Sequence, residues 1–200
     1  MKNTLLYIIM VLALSCKQGK EPILEDTEFQ RKINAAYKDA TTSPLKDIDR
    51  KNFNGLKFFK FNSTYVVTAT LERTPDETPF EMKTTTDRLT VYVKYGIVSF
   101  NLKGNEYHLN VYQNQDLVKK EGFEDYLFLP FLDNTNGEES YGGGRYIDLK
   151  FPDGDELTID FNKAYNPYCA YNEKYSCPIV PIENYLAVKV EAGVKVFKKY

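Results

Sequence analysis

A mainly β fold is what this sequence predicts: an antiparallel β-barrel or sandwich of about eight or more short strands, with one helix at the N-terminal side. Three observations predict it. From residue 65 onward, apolar side chains recur at every second position in many short runs. Turn-forming clusters such as Lys103-Gly104-Asn105-Glu106 and Pro152-Asp153-Gly154-Asp155 punctuate those runs. The chain also carries 16 Tyr and 13 Phe but no Trp, and Tyr and Phe fit the pleated, half-buried surface of a strand.

Residues 5–14 are uninterrupted apolar, with Lys2 ahead of them. A membrane-spanning helix needs about 20 apolar residues, so this run is too short to span and has the form of a signal-peptide core. Ala13-Leu14-Ser15-Cys16 follows, then Lys17-Gln18-Gly19-Lys20. A small residue before Cys at the end of such a run resembles the lipobox of bacterial lipoproteins, although Ala13 stands where Leu is commoner. The predicted organisation is a signal peptide over 1–15, lipidated Cys16 with a tether over 16–25, and a single β-rich domain over 26–200. Two acyl chains give stable anchoring, each buried CH2 contributing about 0.8 kcal/mol. The expected location is the cell envelope at the outer membrane, with the lipid bilayer as partner through Cys16.

Asp26 or Thr27 caps the helix, and Thr27 and Gln30 stand at capping-box spacing. Phe29, Ile33 and Tyr37 recur every four residues and form one apolar stripe. The stripe ends near Ala40, because Thr41-Thr42-Ser43-Pro44 cannot continue a helix. Strands are predicted over 65–71, 89–95, 97–102, 107–112, 126–131, 145–151, 156–161, 185–190 and 194–197. Gly96 kinks or turns the chain between the second and third, and a polar loop occupies 133–144. For the strands flanking Asp153-Gly154-Asp155, a three-residue hairpin pairs Phe151 with Leu157, Leu149 with Ile159 and Ile147 with Phe161. All six apolar side chains then share a face, as a register requires. The same register sets Asp148 opposite Asp160, a repulsion that solvent, Lys150, an arginine or a bound cation would offset.

Removing residues 1–15, whose only charge is Lys2, takes the formal charge from −2 to −3. With no basic patch, nucleic acid is not an expected partner. Beyond Cys16 the cysteines are Cys169 and Cys177. In an oxidising compartment such a pair closes a disulfide, a small ring worth about 2.5 kcal/mol by chain entropy. A zinc site lacks a second ligand pair, and the lone His108 is distant in sequence and sits on the polar side of its strand.

Three blocks are dense in groups that carry chemistry. The first holds Asp133, Thr135 and Gly137, then Ser140-Tyr141-Gly142-Gly143-Gly144-Arg145-Tyr146. The second is Asp160-Phe161-Asn162-Lys163-Ala164-Tyr165-Asn166-Pro167-Tyr168-Cys169-Ala170-Tyr171. The third runs from Cys177-Pro178 to Pro181-Ile182-Glu183-Asn184. Together they resemble the signature of the domain-of-unknown-function family 1684, bacterial proteins of about this length. Ile179-Val180 and Tyr168 depart from that signature, and neither change removes an ionisable group. The resemblance implies the extent of the domain and implies no activity.

The glycines at 142–144 permit positive φ or close approach but lack the Gly-Lys-Ser/Thr of a phosphate loop. Residues 133–137 lack the later glycine and glutamate of a calcium loop. No cofactor is therefore expected. Arg145 falls on the inward face and must be paired, with Asp133, Glu139, Asp160 and Glu183 as candidates. It is either a staple holding the loop or an anion-binding group in a barrel mouth. Tyr141, Asn162, Tyr165, Asn166 and Asn184 complete a cluster able to satisfy loop backbone or to hold a polar ligand. The favoured reading is a membrane-tethered binding module for a polar small molecule or glycan. The competing readings are a hydrolase using a pair of those carboxylates and a structural envelope protein without ligand.

Overall fold

The computed structural model describes residues 26–198, so the predicted signal peptide, Cys16 and the tether lie outside the described residues. The domain is mainly β. Its strands are β1 (Val66–Arg73), β2 (Phe80–Met82), β3 (Thr90–Leu102), β4 (Asn105–Asn114), β5 (Tyr126–Asp133), β6 (Arg145–Lys150), β7 (Glu156–Asp160) and β8 (Tyr185–Leu186). They form a curled half-barrel with the order β6-β5-β4-β3-β1-β7. The short β2 adds to β3, and β8 pairs with β5 in the parallel sense.

Helix α1 (Glu28–Lys38) starts where the capping box places it. Thr27 Oγ1 accepts from the Gln30 amide at 3.2 Å, and Gln30 Oε1 accepts from the Thr27 amide at 2.8 Å. Asp39 ends it with extended backbone and accepts from the Thr41 amide. Ile33 and Tyr37 pack with Phe53, Leu56, Tyr171 and Val194 in a core separate from the barrel interior. A second helix, α2 (Asp47–Lys51), is one turn long, too short to show a periodic stripe in the sequence. Among the described residues no helix is long and apolar enough to cross a membrane.

The two predicted strands on either side of Gly96 are one strand, β3. Gly96 marks a register shift against β4 rather than a turn. A Cβ at Gly96 would lie 2.5 Å from the Glu72 carbonyl oxygen, so only glycine lets β1 pass this closely. The β3–β4 hairpin closes with two residues, Lys103 at φ 52° and Gly104 at φ 82°. Positive φ at both central positions matches the twist of the strands.

The expected β6–β7 hairpin does not form. Leu149 pairs with Leu127 and Ile147 with Leu129 on β5, while Ile159 pairs with Val67 and Leu157 with Ala69 on β1. The Pro152–Asp155 segment instead joins the two edges of the half-barrel. Asp148 therefore stands opposite Phe128, and Asp160 opposite Val66. The face assignment survives this correction: Ile147, Ile159 and Phe161 are buried in the barrel core, with Leu149 and Leu157 packed against it. Phe151 is instead exposed and stacks on Tyr95 at 4.7 Å.

Chain from outside the sheet covers the open seam. Tyr146 and Tyr165 exchange backbone hydrogen bonds at 2.9 and 3.0 Å, and the Val194 amide donates to Ala164 at 2.8 Å. The predicted strand over 194–197 is this irregular lacing, and the one over 185–190 is pared to the two residues of β8. Inside the half-barrel, Val98, Leu109, Val111, Leu127, Leu129, Phe131, Ile159 and Phe161 are fully enclosed. Each such side chain contributes about 1.5–3 kcal/mol by leaving water.

Candidate functional site

Arg145 opens β6 directly after Gly144 and points inward, as its place in the alternation requires. Its side chain and that of Asp133 are both fully buried. Nη2 donates to Asp133 Oδ2 at 2.7 Å and to the Val190 carbonyl at 2.8 Å, while Nη1 donates to the Ala192 carbonyl. Asp133 Oδ1 accepts from the Thr135 and Val190 amides at 2.8 and 3.1 Å. The Thr135 and Ser140 hydroxyls are 2.7 Å apart beside this pair. Burial pulls the Arg145 pKa down and Asp133 opposes it. The geometry is that of a staple: one guanidinium fastens the 133–140 loop and the C-terminal lacing to the end of the barrel.

The other residues of the predicted cluster are dispersed. Asn184, fully buried, takes over a missing stretch of ladder between β4 and β5, where only Tyr112 and Phe128 pair. It accepts from the Asn110 amide at 2.9 Å and donates to the Asn110 and Pro130 carbonyls at 2.8 and 2.6 Å. Asp160 caps the turn Phe161–Lys163 by accepting from Asn162, whose amide side chain in turn brackets the Asn62 backbone. Asn166 donates to the Lys195 carbonyl at 2.9 Å. Glu139 lies 3.3 Å from Lys189, and Glu183 is exposed. The four carboxylates considered for acid–base work thus occupy four different settings. His108 is exposed, 2.8 Å from the Ser99 hydroxyl.

The feature that combines concavity with convergent chemistry lies on the outer face of β5 and β6, beneath α1. It is a cleft of about 600 Å³. Tyr126 and Phe128 project into it from β5 and Tyr146 and Asp148 from β6, while their inward neighbours fill the barrel. Phe29, Ile33 and Tyr37 form the wall contributed by α1, and Tyr165, Tyr168 and Tyr175 come from the irregular region after β7. Of the predicted ligand-binding residues, only Tyr165 lines this cleft. The rings meet edge-on: Phe128 and Tyr146 at 4.7 Å and 75°, Tyr146 and Tyr165 at 6.0 Å and 87°.

Asp148 is the one carboxylate among the lining residues. Its Oδ1 accepts from the hydroxyls of Tyr126 at 2.8 Å and Tyr165 at 2.6 Å. Burial first, and the Asp148 charge second, hold both tyrosine hydroxyls above their ordinary pKa, so they remain donors. Lys150, one of the groups considered as an offset to the Asp148 charge, pairs with Asp125 at 2.9 Å instead. A sequence signal for the cleft does exist. Tyr126, Leu127, Phe128 and Leu129 are apolar on both faces of a strand, which implies cover on both sides. A second depression, of about 700 Å³, follows the outer face of β1 and the β3–β4 hairpin and is lined mainly by Ser, Thr, Asn, Lys and Glu. It has no comparable convergence of aromatic groups.

Cys177 lies at the cleft and Cys169 beside it, both as free thiols. The Cys169 amide donates to Cys177 Sγ at 3.1 Å. The hydrogen bond from Cys177 holds the Cys169 thiol down at about 6, and the same bond pushes Cys177 up. Tyr141 reaches Cys169 Sγ at 3.9 Å, and burial followed by the Cys169 charge raises its hydroxyl to about 12.

These features define a β half-barrel domain with a buried Arg–Asp staple at one end and a tyrosine-lined cleft on its outer face. The chain belongs to the family described as "Protein of unknown function (DUF1684)", which matches residues 51–195. The solution NMR structure of an uncharacterized protein from gene locus rrnAC0354 of Haloarcula marismortui is similar to it, with 34% sequence identity and a TM-score of 0.65. That likeness covers 83% of this chain and 89% of the other. Comparison with curated proteins gives no match.

Proposed function

We propose that this protein is an envelope lipoprotein, anchored to the outer membrane through acylated Cys16, whose domain binds a small polar molecule or glycan unit in the tyrosine-lined cleft. The observation that carries the reading is the cleft itself. Its volume of about 600 Å³ lies within the usual range for small-molecule sites, about 300–1,000 Å³. Its walls are largely aromatic, and two of its tyrosine hydroxyls, Tyr126 and Tyr165, converge on Asp148. Binding is favoured over carboxylate-pair hydrolysis because Asp148 has no second carboxylate beside it in the lining. Export also supports a disulfide between Cys169 and Cys177, whose amide-to-sulfur contact already brings the two residues together.

The test is native mass spectrometry of the processed protein purified from its own envelope, compared with its denatured mass. The expected denatured mass is residues 16–200 plus acyl chains and minus two hydrogens. The expected native mass is larger by a ligand that denaturation releases. An unmodified Cys16 would overturn the anchoring. Equal native and denatured masses, with no shift in melting temperature across a panel of sugars, amines and carboxylic acids, would overturn the binding reading.

A further inference from the structure

We infer that the cleft takes an organic ammonium ion, a primary or quaternary amine whose charged head sits among the tyrosine rings beside Asp148. The inference rests on the binding reading above and narrows it to one ligand chemistry.

The charge balance of the cleft is the first argument. Asp148 is the only Asp, Glu, Lys or Arg in the lining. Among the described residues no lysine or arginine comes within 4.0 Å of its carboxylate, and Lys150, two positions along the same strand, is engaged by Asp125. Both tyrosine hydroxyls donate to the same oxygen, Oδ1. Oδ2 has no protein donor among the described residues. A carboxylate held in place by two donors on one oxygen presents the other oxygen as an oriented acceptor. An anionic ligand would meet this carboxylate with no cation among the lining residues to offset it.

The ring geometry is the second argument. The negative face of an aromatic ring attracts ammonium groups, and several rings set around one volume are the usual means of recognising a quaternary ammonium. Here Tyr146 stands near-perpendicular to both Phe128 and Tyr165, and Tyr92 stands 5.6 Å from Phe128, tilted by 36°. Rings so arranged turn their faces in different directions along the cleft wall. Tyr175 at the rim already holds a cation, with Lys174 Nζ 5.0 Å from its ring centre. A divalent metal is a poorer fit. It needs several oxygen ligands, and among the described residues no three His, Cys, Asp or Glu side chains converge.

An ammonium head of this kind can come from a soluble amine or from a phospholipid headgroup, and the experiment separates the two. The purified mature protein is titrated by calorimetry with choline, ethanolamine and tetramethylammonium, and with 3,3-dimethylbutan-1-ol, the uncharged isostere of choline. Phosphatidylcholine or phosphatidylethanolamine vesicles are tested by flotation against phosphatidylglycerol vesicles, with the lipid anchor removed by exporting residues 17–200 behind a secretion signal that is cleaved without lipidation. Binding of an ammonium compound, free or in a vesicle, at least tenfold tighter than the isostere is the expected result. Asp148→Asn keeps an acceptor for Tyr126 and Tyr165, so it leaves the melting temperature nearly unchanged while weakening ammonium binding about tenfold or more. Equal binding of choline and its isostere would overturn the inference. So would retention of a neutral sugar in the native mass spectrum without amine binding, and that result would leave the binding reading standing. Absence of every retained or added ligand would overturn both.

Discussion

Arg145 Nη2 and Asp133 Oδ2 meet at 2.7 Å with neither side chain exposed to solvent. Removing one partner of such a buried pair leaves an uncompensated charge, which costs about 3–5 kcal/mol. Arg145→Ala and Asp133→Ala are each expected to destabilise the protein by that amount in urea denaturation. Arg145→Lys recovers only part of the loss, because an ammonium cannot reproduce the planar fork that also reaches the Val190 and Ala192 carbonyls. An Arg145→Ala protein of undiminished stability would show that the pair is not a staple.

Asn184 presents a different kind of dependence. Its amide satisfies one donor and two acceptors of β4 and β5 that the ladder leaves unpaired. Stranding buried backbone groups costs about 1–3 kcal/mol each. Asn184→Ala is expected to lose at least 3 kcal/mol, and faster amide hydrogen exchange at Asn110 should accompany it. Asn184→Asp should fare no better, since a carboxylate cannot donate to the Asn110 and Pro130 carbonyls.

Two glycines with similar backbone make a controlled comparison. Gly193 has φ +77°, and a Cβ there would sit 2.4 Å from the Ala164 carbonyl oxygen; Gly154 has φ +98° with open space around it. Gly154→Ala carries only the backbone strain, about 1 kcal/mol. Gly193→Ala adds a clash with backbone that cannot yield without unfastening the Val194–Ala164 hydrogen bond. Thermal melts should therefore show a clearly larger loss at 193 than at 154.

The thiol pair gives a pH dependence that exists only in the reduced protein. Cys169 titrates near 6 when folded, below its ordinary 9.0, so the unfolded chain binds more protons between those values. Stability then rises with pH across that window and is lost as pH falls through about 6. Cys177 is shifted upward, so above about 9 the folded state retains a proton that the unfolded chain releases, and stability falls again. Urea midpoints of the reduced protein should rise from pH 6 to 9 relative to those of the oxidised form, which has no thiols to titrate. Parallel profiles for the two forms would contradict the assigned shifts.

The start of α1 was legible in the sequence because its determinants are local: Thr27 and Gln30 are three residues apart and cap each other. Most of the strands were legible from alternation, though the three residues of β2 were not, and so was the inward face of Ile147, Leu149 and Ile159. Strand partners were not. The apolar positions of β6 match those of β7 and of β5 equally well, and the choice of β5 depends on the packing of the whole sheet. The candidate site followed the same division. Arg145 read as inward with an acidic partner, and Asp133 was among the candidates. The cleft needed the β5–β6 register, the position of α1 and the course of the chain after β7 at once. The Tyr126–Asp148–Tyr165 contact draws on all but one of these, across 17 to 22 residues of separation.

Helix α1 supplies one wall of the cleft and begins immediately after the segment proposed as the lipid tether. Glu28, where α1 begins, stands twelve positions after Cys16, and an extended chain covers at most about 3.6 Å per residue. With Cys16 acylated, the start of that wall cannot travel farther than about 43 Å from the bilayer. The protein then patrols a thin shell over the membrane, where headgroups and surface-bound amines are concentrated. Confinement of this sort raises effective concentration to the millimolar range without any new contact. A weak site on a short leash can therefore stay filled, and release its ligand quickly, where the same site free in solution would stand empty.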